Sequence, residues 1–299
     1  MADRLRRLAL TVPIACAALG CGSDKVLLRY HPKANTTHRY TLDEQMKVAV
    51  AGASASLPAM DMGMSVQLRE RIGEANRGGV GGVGGVGGVG GVGGTAVSWS
   101  VDTLTFRPPA GMDAASPAFA SQIARVKAMS FDLVYDDRRI PLKVQVHDPL
   151  GAASAEGRRV TGNVEMFNYP LPVEPVGKGD HWRVETDIPL PETGGPISVQ
   201  SVLTVKDITV AAGDTTVVFE VSTQFPEQPI AISRMGQTMT MKLSGTITGE
   251  QAFSVSQGMV LDATVSGTIK MAMAVPGLPS VPMSLSLDMQ ATLKRLAGP

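Results

Sequence analysis

Apolar and polar residues alternate along most of this chain with a period of two, which is the pattern of β-strands that bury one face. The alternation is clear in residues 40–50 and 62–72, where polar residues fill most of the positions between the apolar ones. We therefore predict a half-buried strand in each segment. The apolar positions of the two strands are Leu42, Met46, Val48, Val50, Met62, Met64, Val66, Leu68 and Ile72.

A third strand is predicted over residues 96–106, with one irregularity. Its apolar positions switch from odd to even numbers between Val101 and Leu104. A β-bulge inserts one extra residue and produces such a switch, so we predict a bulge near Asp102. Residues 25–30, at the start of the body, also have the composition of a strand.

One short helix is predicted at about residues 114–129. Ser116 followed by Pro117 is a favoured helix start, because serine caps free N–H groups and proline fits the first turn. A hairpin over residues 131–146 follows the helix. The apolar residues at helical spacing are Phe119, Ile123, Val126 and Met129.

The most regular alternation lies near the end of the chain, in residues 239–247, 259–273 and 283–293. Long antiparallel strands with one apolar face need a second sheet, or curvature of the sheet around that face, to remove it from water. The predicted fold class is therefore mainly β. It is either an antiparallel β-sandwich or a strongly curved half-barrel, with the one short helix.

The chain divides where its composition changes. Residues 78–94 repeat Gly-Gly-Val and predict a flexible insertion, because so many glycines oppose regular secondary structure. The predicted segments are a signal peptide at 1–20, a lipid anchor and short tether at 21–24, an N-terminal β half at 25–147, a Pro/Gly/Ala-rich connection at 148–176 and a C-terminal antiparallel β half at 177–299.

Residues 1–20 have the plan of an export signal: arginines, an apolar stretch too short to span a bilayer, and small residues. The following Cys21 completes Ala18-Leu19-Gly20-Cys21, which resembles the bacterial lipobox, although the leucine stands two positions before the cysteine instead of three. The resemblance implies that acyl chains such as palmitate on Cys21 anchor the protein to a membrane. The alternative is an ordinary signal peptide cleaved after Ala15 or Ala18.

The same resemblance implies where the protein resides. A lipoprotein with Gly22 after the cysteine, instead of aspartate, is expected at the outer membrane if the cell has two membranes. Cys16, the other cysteine of the chain, belongs to the leader. No disulfide and no cysteine metal site is therefore expected in the body.

The segments LLRYHPKANTTHRY, VGKGDHW and SGTITGEQAFSVSQGMVLDATVSGTI resemble a broad family of uncharacterised β-rich bacterial lipoproteins. The resemblance extends over most of the mature chain and implies no particular activity. From the residues themselves, Gly179 and Asp180 predict a turn, and Trp182 predicts the start of a buried strand. Gly258 fits a hairpin position with positive φ.

Charge and motifs argue against several functions. The chain has 27 basic and 27 acidic residues, which gives no electrostatic basis for binding nucleic acid. The sequence contains no recognisable hydrolase, phosphate-loop or dinucleotide motif. Its four histidines are scattered, and Asp136-Asp137 with Arg138-Arg139 is interpreted as a charged turn. We expect neither an enzyme nor a cofactor.

Methionine is the unusual residue, with 16 in the chain. Three hypotheses follow. The favoured one is a non-catalytic structural or binding module of the cell envelope. The second is a carrier or sensor of an apolar ligand, a lipid or acyl chain, on a Met-rich β face. The third is a Cu(I)-binding protein, since thioethers prefer Cu(I). The candidate ligands are Met60, Met62, Met64, Met239, Met241, Met271 and Met273.

Overall fold

The computed structural model describes residues 25–51, 58–74, 94–113, 116–148, 167–189, 196–234, 237–274 and 283–297. Cys21 and the leader lie outside this part of the chain, as do residues 78–93 of the Gly/Val-rich tract and residues 149–166 of the connection. The described residues are mainly β-strand, as the alternation predicts.

The described residues form eleven strands and one helix. The helix, α1, is Pro117–Ala128, so it begins at the predicted proline. The strands are β1 Thr36–Ala51, β2 Met60–Ile72, β3 Thr95–Arg107, β4 Ser130–Tyr135, β5 Pro141–His147, β6 His181–Pro189, β7 Pro196–Ala211, β8 Asp214–Arg234, β9 Gln237–Ser254, β10 Met259–Ala274 and β11 Met283–Arg295.

All eleven described strands belong to one antiparallel sheet, in the order β5-β4-β3-β2-β1-β11-β10-β9-β8-β7-β6. Each half of the chain is a meander, and the two meanders join where β1 pairs with β11. The described strands leave the sheet open, with β5 and β6 at its edges. They form no second sheet, so the half-barrel is the form of the prediction that is confirmed.

Two covering segments, residues 26–32 and 167–177, lie against the apolar face of the sheet. The carbonyl oxygen of Phe167 accepts hydrogen bonds from Arg139 Nη1 at 3.1 Å and from Gln251 Nε2 at 2.8 Å. Arg139 precedes β5 and Gln251 lies in β9, so distant parts of the sheet meet over one residue. The sheet therefore curves around its covering segments, whose buried apolar side chains include Leu28, Tyr30, Phe167, Leu171 and Val176.

Residues 25–30 do not join the sheet, although their composition is that of a strand. Val26 forms an isolated bridge with Val176 through backbone hydrogen bonds of 2.8 and 2.9 Å, and the N–H of Tyr30 donates to the carbonyl oxygen of Asp137 at 2.7 Å. Leu28 is fully buried, whereas Leu27 is 46% exposed. The segment alternates because it lies across the apolar face with one side against the core, which produces the same pattern as a strand.

Three glycines on the apolar face let β9 and β10 approach closely. Gly249, Gly267 and Gly245 occupy successive layers and alternate between the two strands. A Cβ at Gly249 would lie 2.0 Å from the carbonyl oxygen of Thr264, and one at Gly267 would lie 2.3 Å from that of Thr246. Any side chain would therefore force the strands apart. We call these three residues the glycine seam.

The predicted bulge in β3 is present. The register pairs Leu68 with Val101 but Gln67 with Thr103, which leaves Asp102 as the extra residue. The bulge returns the apolar positions on both sides of it to one face of the sheet.

Candidate functional site

The apolar face consists of two halves that differ in exposure. The half nearest the β9–β10 turn is buried under residues 26–32 and 167–177, and we call it the closed half. The half nearest the end of β10 and the start of β11 is less shielded, and we call it the open half. Its half-buried or exposed side chains are Met46, Val48, Val50, Met60, Met62, Met64, Phe225, Ile230, Ile269, Met271, Met273, Met283, Leu285 and Leu287.

Strand pairing places the side chains of the open half in rows, because residues directly opposite one another in antiparallel strands share a face. Among the described residues of β2, β1, β11, β10 and β9, these rows contain no charged side chain, so the open half is one continuous apolar surface. Two neighbouring rows are Met60, Val48, Leu287 and Ile269, and then Val50, Leu285 and Met271, which end at the buried Leu243 of β9.

The candidate methionines lie on this face in two separate groups. Strands β1 and β11 stand between β2 and β10, so the groups are about 14 Å apart along the sheet at the usual strand spacing. They therefore do not converge on one metal position. The first group is Met60, Met62 and Met64 on β2. The second is Met241, Met271 and Met273 on β9 and β10, where Met241 pairs with Met273. The remaining candidate, Met239 of β9, has a side chain that lies outside the described residues.

Glu44 lies at the boundary between the two halves, on the apolar face of β1. Its cross-strand neighbours are Met64 and Ala291, and it is 5% exposed. No described residue forms a hydrogen bond or an ion pair with its carboxylate. Burial raises the pKa of Glu44 because nothing compensates for the water lost around the charge.

A second acid, Glu70 of β2, is buried in the closed half. The hydroxyl of Tyr40 donates a hydrogen bond of 3.1 Å to Glu70 Oε2. Beside them is a cavity of about 20 Å³, which is large enough for one water molecule. The cavity is lined by Tyr30, Leu42, Leu68, Glu70, Trp99, Tyr135, Arg139, Phe167 and Leu293.

Burial raises the pKa of Glu70 to about 7, and the positive charge of Arg139 and the hydrogen bond from Tyr40 limit this rise. Burial and the nearby Glu70 also raise the pKa of Tyr40 and of Tyr30 well above the ordinary value. At neutral pH the protonated and ionised forms of Glu70 are therefore present in similar amounts.

Several polar atoms around this cavity have no hydrogen-bond partner among the described residues. They are the hydroxyl of Tyr30, Nε1 of Trp99 and Nε of Arg139. Because a buried polar atom without a partner is unfavourable, these donors fit a water molecule in the cavity. This cluster is enclosed by the core, whereas Glu44 borders the open half.

The turn residues identified from the sequence lie at the rim of the closed half. Gly179 has a φ of 86° and Gly258 a φ of 61°, both in the left-handed region that favours glycine. The carboxylate of Asp180 accepts a backbone N–H of its own turn at 2.9 Å. Trp182 is half-buried in β6, and its Nε1 donates to the carbonyl oxygen of Pro170 at 2.9 Å.

Sequence reasoning missed Glu44 and Glu70, although a signal for both was present. Each occupies an apolar position in the alternation of its strand: Glu44 between Leu42 and Met46, and Glu70 between Leu68 and Ile72. An acid at such a position must face the core or the apolar surface of the sheet. A break in the alternation was therefore the informative feature.

Within the described residues, no group of three or more His, Cys, Asp or Glu side chains could hold a metal ion. The same part of the chain contains no helix long and apolar enough to cross a membrane.

Comparison with solved structures gives a similar fold. A structure of lipovitellin in which lipid–protein interactions were studied has a TM-score of 0.51 and 9% sequence identity, over 89% of this chain. The match spans 26% of the lipovitellin chain, so this protein corresponds to about a quarter of it. The likeness shows a shared open antiparallel architecture.

A match to the P. putida toluene transporter TodX covers 90% of this chain and 92% of that one, with 10% identity and a TM-score of 0.13, which is too low to indicate a common fold. No known protein family matches the chain, and no curated protein matches it either.

Proposed function

We propose that this protein is a non-catalytic binding protein of the cell envelope that holds an apolar, chain-shaped ligand, such as an acyl chain, on its open half. The observation that carries the proposal is the continuous apolar surface formed by β2, β1, β11 and β10. Contiguous apolar surface that is left accessible is typical of sites that bind ligands or partners.

The composition of the surface supports a flexible ligand. Methionine side chains have three rotatable bonds and a polarisable sulfur, so they adapt to occupants of varied shape. The fold is similar to that of lipovitellin, for which lipid–protein interactions are described. Only the architecture is similar, and it is the exposed side chains themselves that favour such a ligand.

The proposal includes an anchor. Acyl chains on Cys21 would attach the protein to a membrane, at the outer membrane if the cell has two, and a short tether would keep the ligand site near the lipid. Labelling with a radioactive fatty acid should mark the wild-type chain and not Cys21→Ser. Equal labelling of both would contradict the anchor and leave the binding proposal intact.

Binding is tested with a fluorescent acyl-chain probe and two variants of β11. Leu287→Lys places a charge in the open half, between Val48 and Ile269. Gln290→Lys introduces the same residue on the exposed opposite face of the strand. We expect Leu287→Lys to weaken probe binding at least tenfold and Gln290→Lys to leave it unchanged.

Circular dichroism and thermal unfolding of both variants check that the sheet is intact. If folded Leu287→Lys binds the probe as tightly as the wild-type protein, the open half is not the binding surface. Native mass spectrometry of the protein purified from its own envelope then identifies any bound lipid directly.

A further inference from the structure

Glu44 is the feature of the apolar face that the proposed function does not explain. Two acids of the sheet are buried as whole residues: Glu44 is 5% exposed and Glu70 is 3% exposed. Glu70 has a hydrogen-bond partner in Tyr40, whereas Glu44 has none among the described residues. A carboxylate that is largely removed from water and has no partner is unfavourable, and an apolar residue would be more stable at this position. The acid therefore needs a reason other than stability.

The position of Glu44 supplies that reason. On one side along β1 is Leu42 of the closed half, which is 5% exposed, and on the other is Met46 of the open half, which is half-buried. An apolar chain lying on the open half and extending toward the covered core would meet the carboxylate of Glu44 where the accessible surface ends.

The side chain directly opposite Glu44 on β11 is small, since its cross-strand neighbour is Ala291. Beyond Ala291 the same row contains Val265 of β10, and the adjoining row contains Met289 opposite Gly267. On the other side, its neighbour Met64 is half-buried. The single methyl group of Ala291 leaves more room beside the carboxylate of Glu44 than a larger side chain at that position would.

We infer that Glu44 is the polar contact of the ligand, and that the ligand is a long-chain amphiphile whose head group donates a hydrogen bond, an amine or a hydroxyl. Such a head group pairs with the carboxylate and restores the interaction that burial removed. A fatty-acid anion would instead place two negative charges together. The inference rests on the proposed function and specifies the chemical class of its ligand.

The test compares four probes of equal chain length on the full chain: dodecylamine, dodecanol, dodecanoate and dodecane. Each competes with the fluorescent acyl-chain probe at a concentration below micelle formation, at pH 8. We expect the amine and the alcohol to bind the wild-type protein at least tenfold more tightly than dodecanoate, with the amine the tightest.

Glu44→Gln should reduce the preference for the amine over dodecanoate at least tenfold and leave dodecane binding unchanged. The matched control is Asp43→Asn, which removes the neighbouring acid on the exposed face of the same strand and should change nothing. If Glu44→Gln does not fold, Glu44→Asp replaces it in the test. Aspartate keeps the negative charge but is one methylene group shorter, so the preference for the amine over dodecanoate should fall by a smaller factor.

The outcomes separate the two proposals. If dodecanoate binds the wild-type protein as tightly as the amine, or if Glu44→Gln keeps the wild-type order of head groups, Glu44 is not the polar contact, and apolar binding still stands. If neither dodecane nor any other probe competes, the proposed function fails, and the inference about Glu44 fails with it.

Discussion

The closed and open halves share the same long strands, yet their side chains pack in different ways. In the closed half, aromatic rings fit against one another: the ring centroids of Tyr40 and Trp99 are 5.4 Å apart, and those of Trp182 and Phe219 are 5.5 Å apart. The open half has methionine, leucine and valine in rows. Rigid, complementary side chains suit the permanent cover of the closed half, whereas adaptable side chains would suit the exchangeable ligand that we propose for the open half.

The cover of the closed half is also held by polar bonds. Arg29 donates from Nη1 to the carbonyl oxygen of Pro172 at 3.0 Å, and from Nη2 to that of Val173 at 2.9 Å. Arg138 Nε donates to the carbonyl oxygen of Leu171 at 2.9 Å. These bonds satisfy the irregular backbone of residues 167–177 and join it to the rest of the molecule.

The largest expected effect compares the same substitution in the two halves. Leu28→Ala should lower the free energy of unfolding by about 2–5 kcal/mol, because this fully buried side chain would leave a cavity. Leu285→Ala in the half-buried open half should lower it by about 1 kcal/mol. Urea unfolding of both variants measures the difference, and equal losses would mean that the halves are packed alike.

The next effect is a pH dependence that belongs to the closed half. Because the pKa of Glu70 is raised from 4.5 to about 7, the folded state binds the proton more tightly than the unfolded state does. Protonated Glu70 therefore makes its full contribution to the stability of the folded state below pH 4.5. This stabilisation is lost as the pH rises through about 7. The loss should be about 3 kcal/mol.

The control for this prediction is Glu70→Gln, which keeps an acceptor for the hydroxyl of Tyr40 but does not titrate. The difference in unfolding free energy between wild type and variant should change by that amount across the pH range. A constant difference would show that Glu70 has an ordinary pKa.

A smaller effect is expected at the glycine seam, which allows the close approach of β9 and β10. Gly249→Ala should destabilise the protein by about 2 kcal/mol, because the new methyl group meets backbone that cannot move freely. In Gly63→Ala the Cβ would lie 3.3 Å from the flexible side chain of Arg107, so we expect little change. Thermal unfolding distinguishes the two, and a tolerated Gly249→Ala would contradict the tight approach.

The smallest effect on stability concerns the methionines of β2. Replacing Met60, Met62 and Met64 together with leucine should change the unfolding free energy by no more than about 1 kcal/mol, since volume is nearly conserved. The variant should accept a narrower range of ligand chain lengths than the wild-type protein does, because the side chain of leucine is less flexible than that of methionine. An unchanged range in displacement assays would show that adaptability of the side chains is not needed.

Features that depend on neighbouring residues in the sequence were predictable. Ser116-Pro117 predicted the helix start, and the switch of apolar parity located the bulge at Asp102. The alternation predicted the strands, because burial of one face imposes a period of two. Strand β8 is different: it continues past Pro226 and Pro229, and the register shift between Phe225 and Gln228 accommodates the missing N–H at Pro226.

Features that depend on distant contacts were not predictable. The composition of residues 25–30 is that of a strand, and only the folded chain shows that they form a cover over the core. Similarly, the interruption of the apolar pattern by Gly245 and Gly249 is visible in the sequence. Its meaning depends on the position of Gly267 across the strand pair.

The sequence by itself determined which residues form strands and which face of each strand is apolar, because these depend on periodicity within a few residues. Only the tertiary structure decided that all the described strands form one curved sheet, and that one half of its apolar face is covered while the other is accessible. It also decided that Glu44 stands at the boundary between them. Pairing of β1 with β11 and placement of the cover are long-range events that local alternation does not specify.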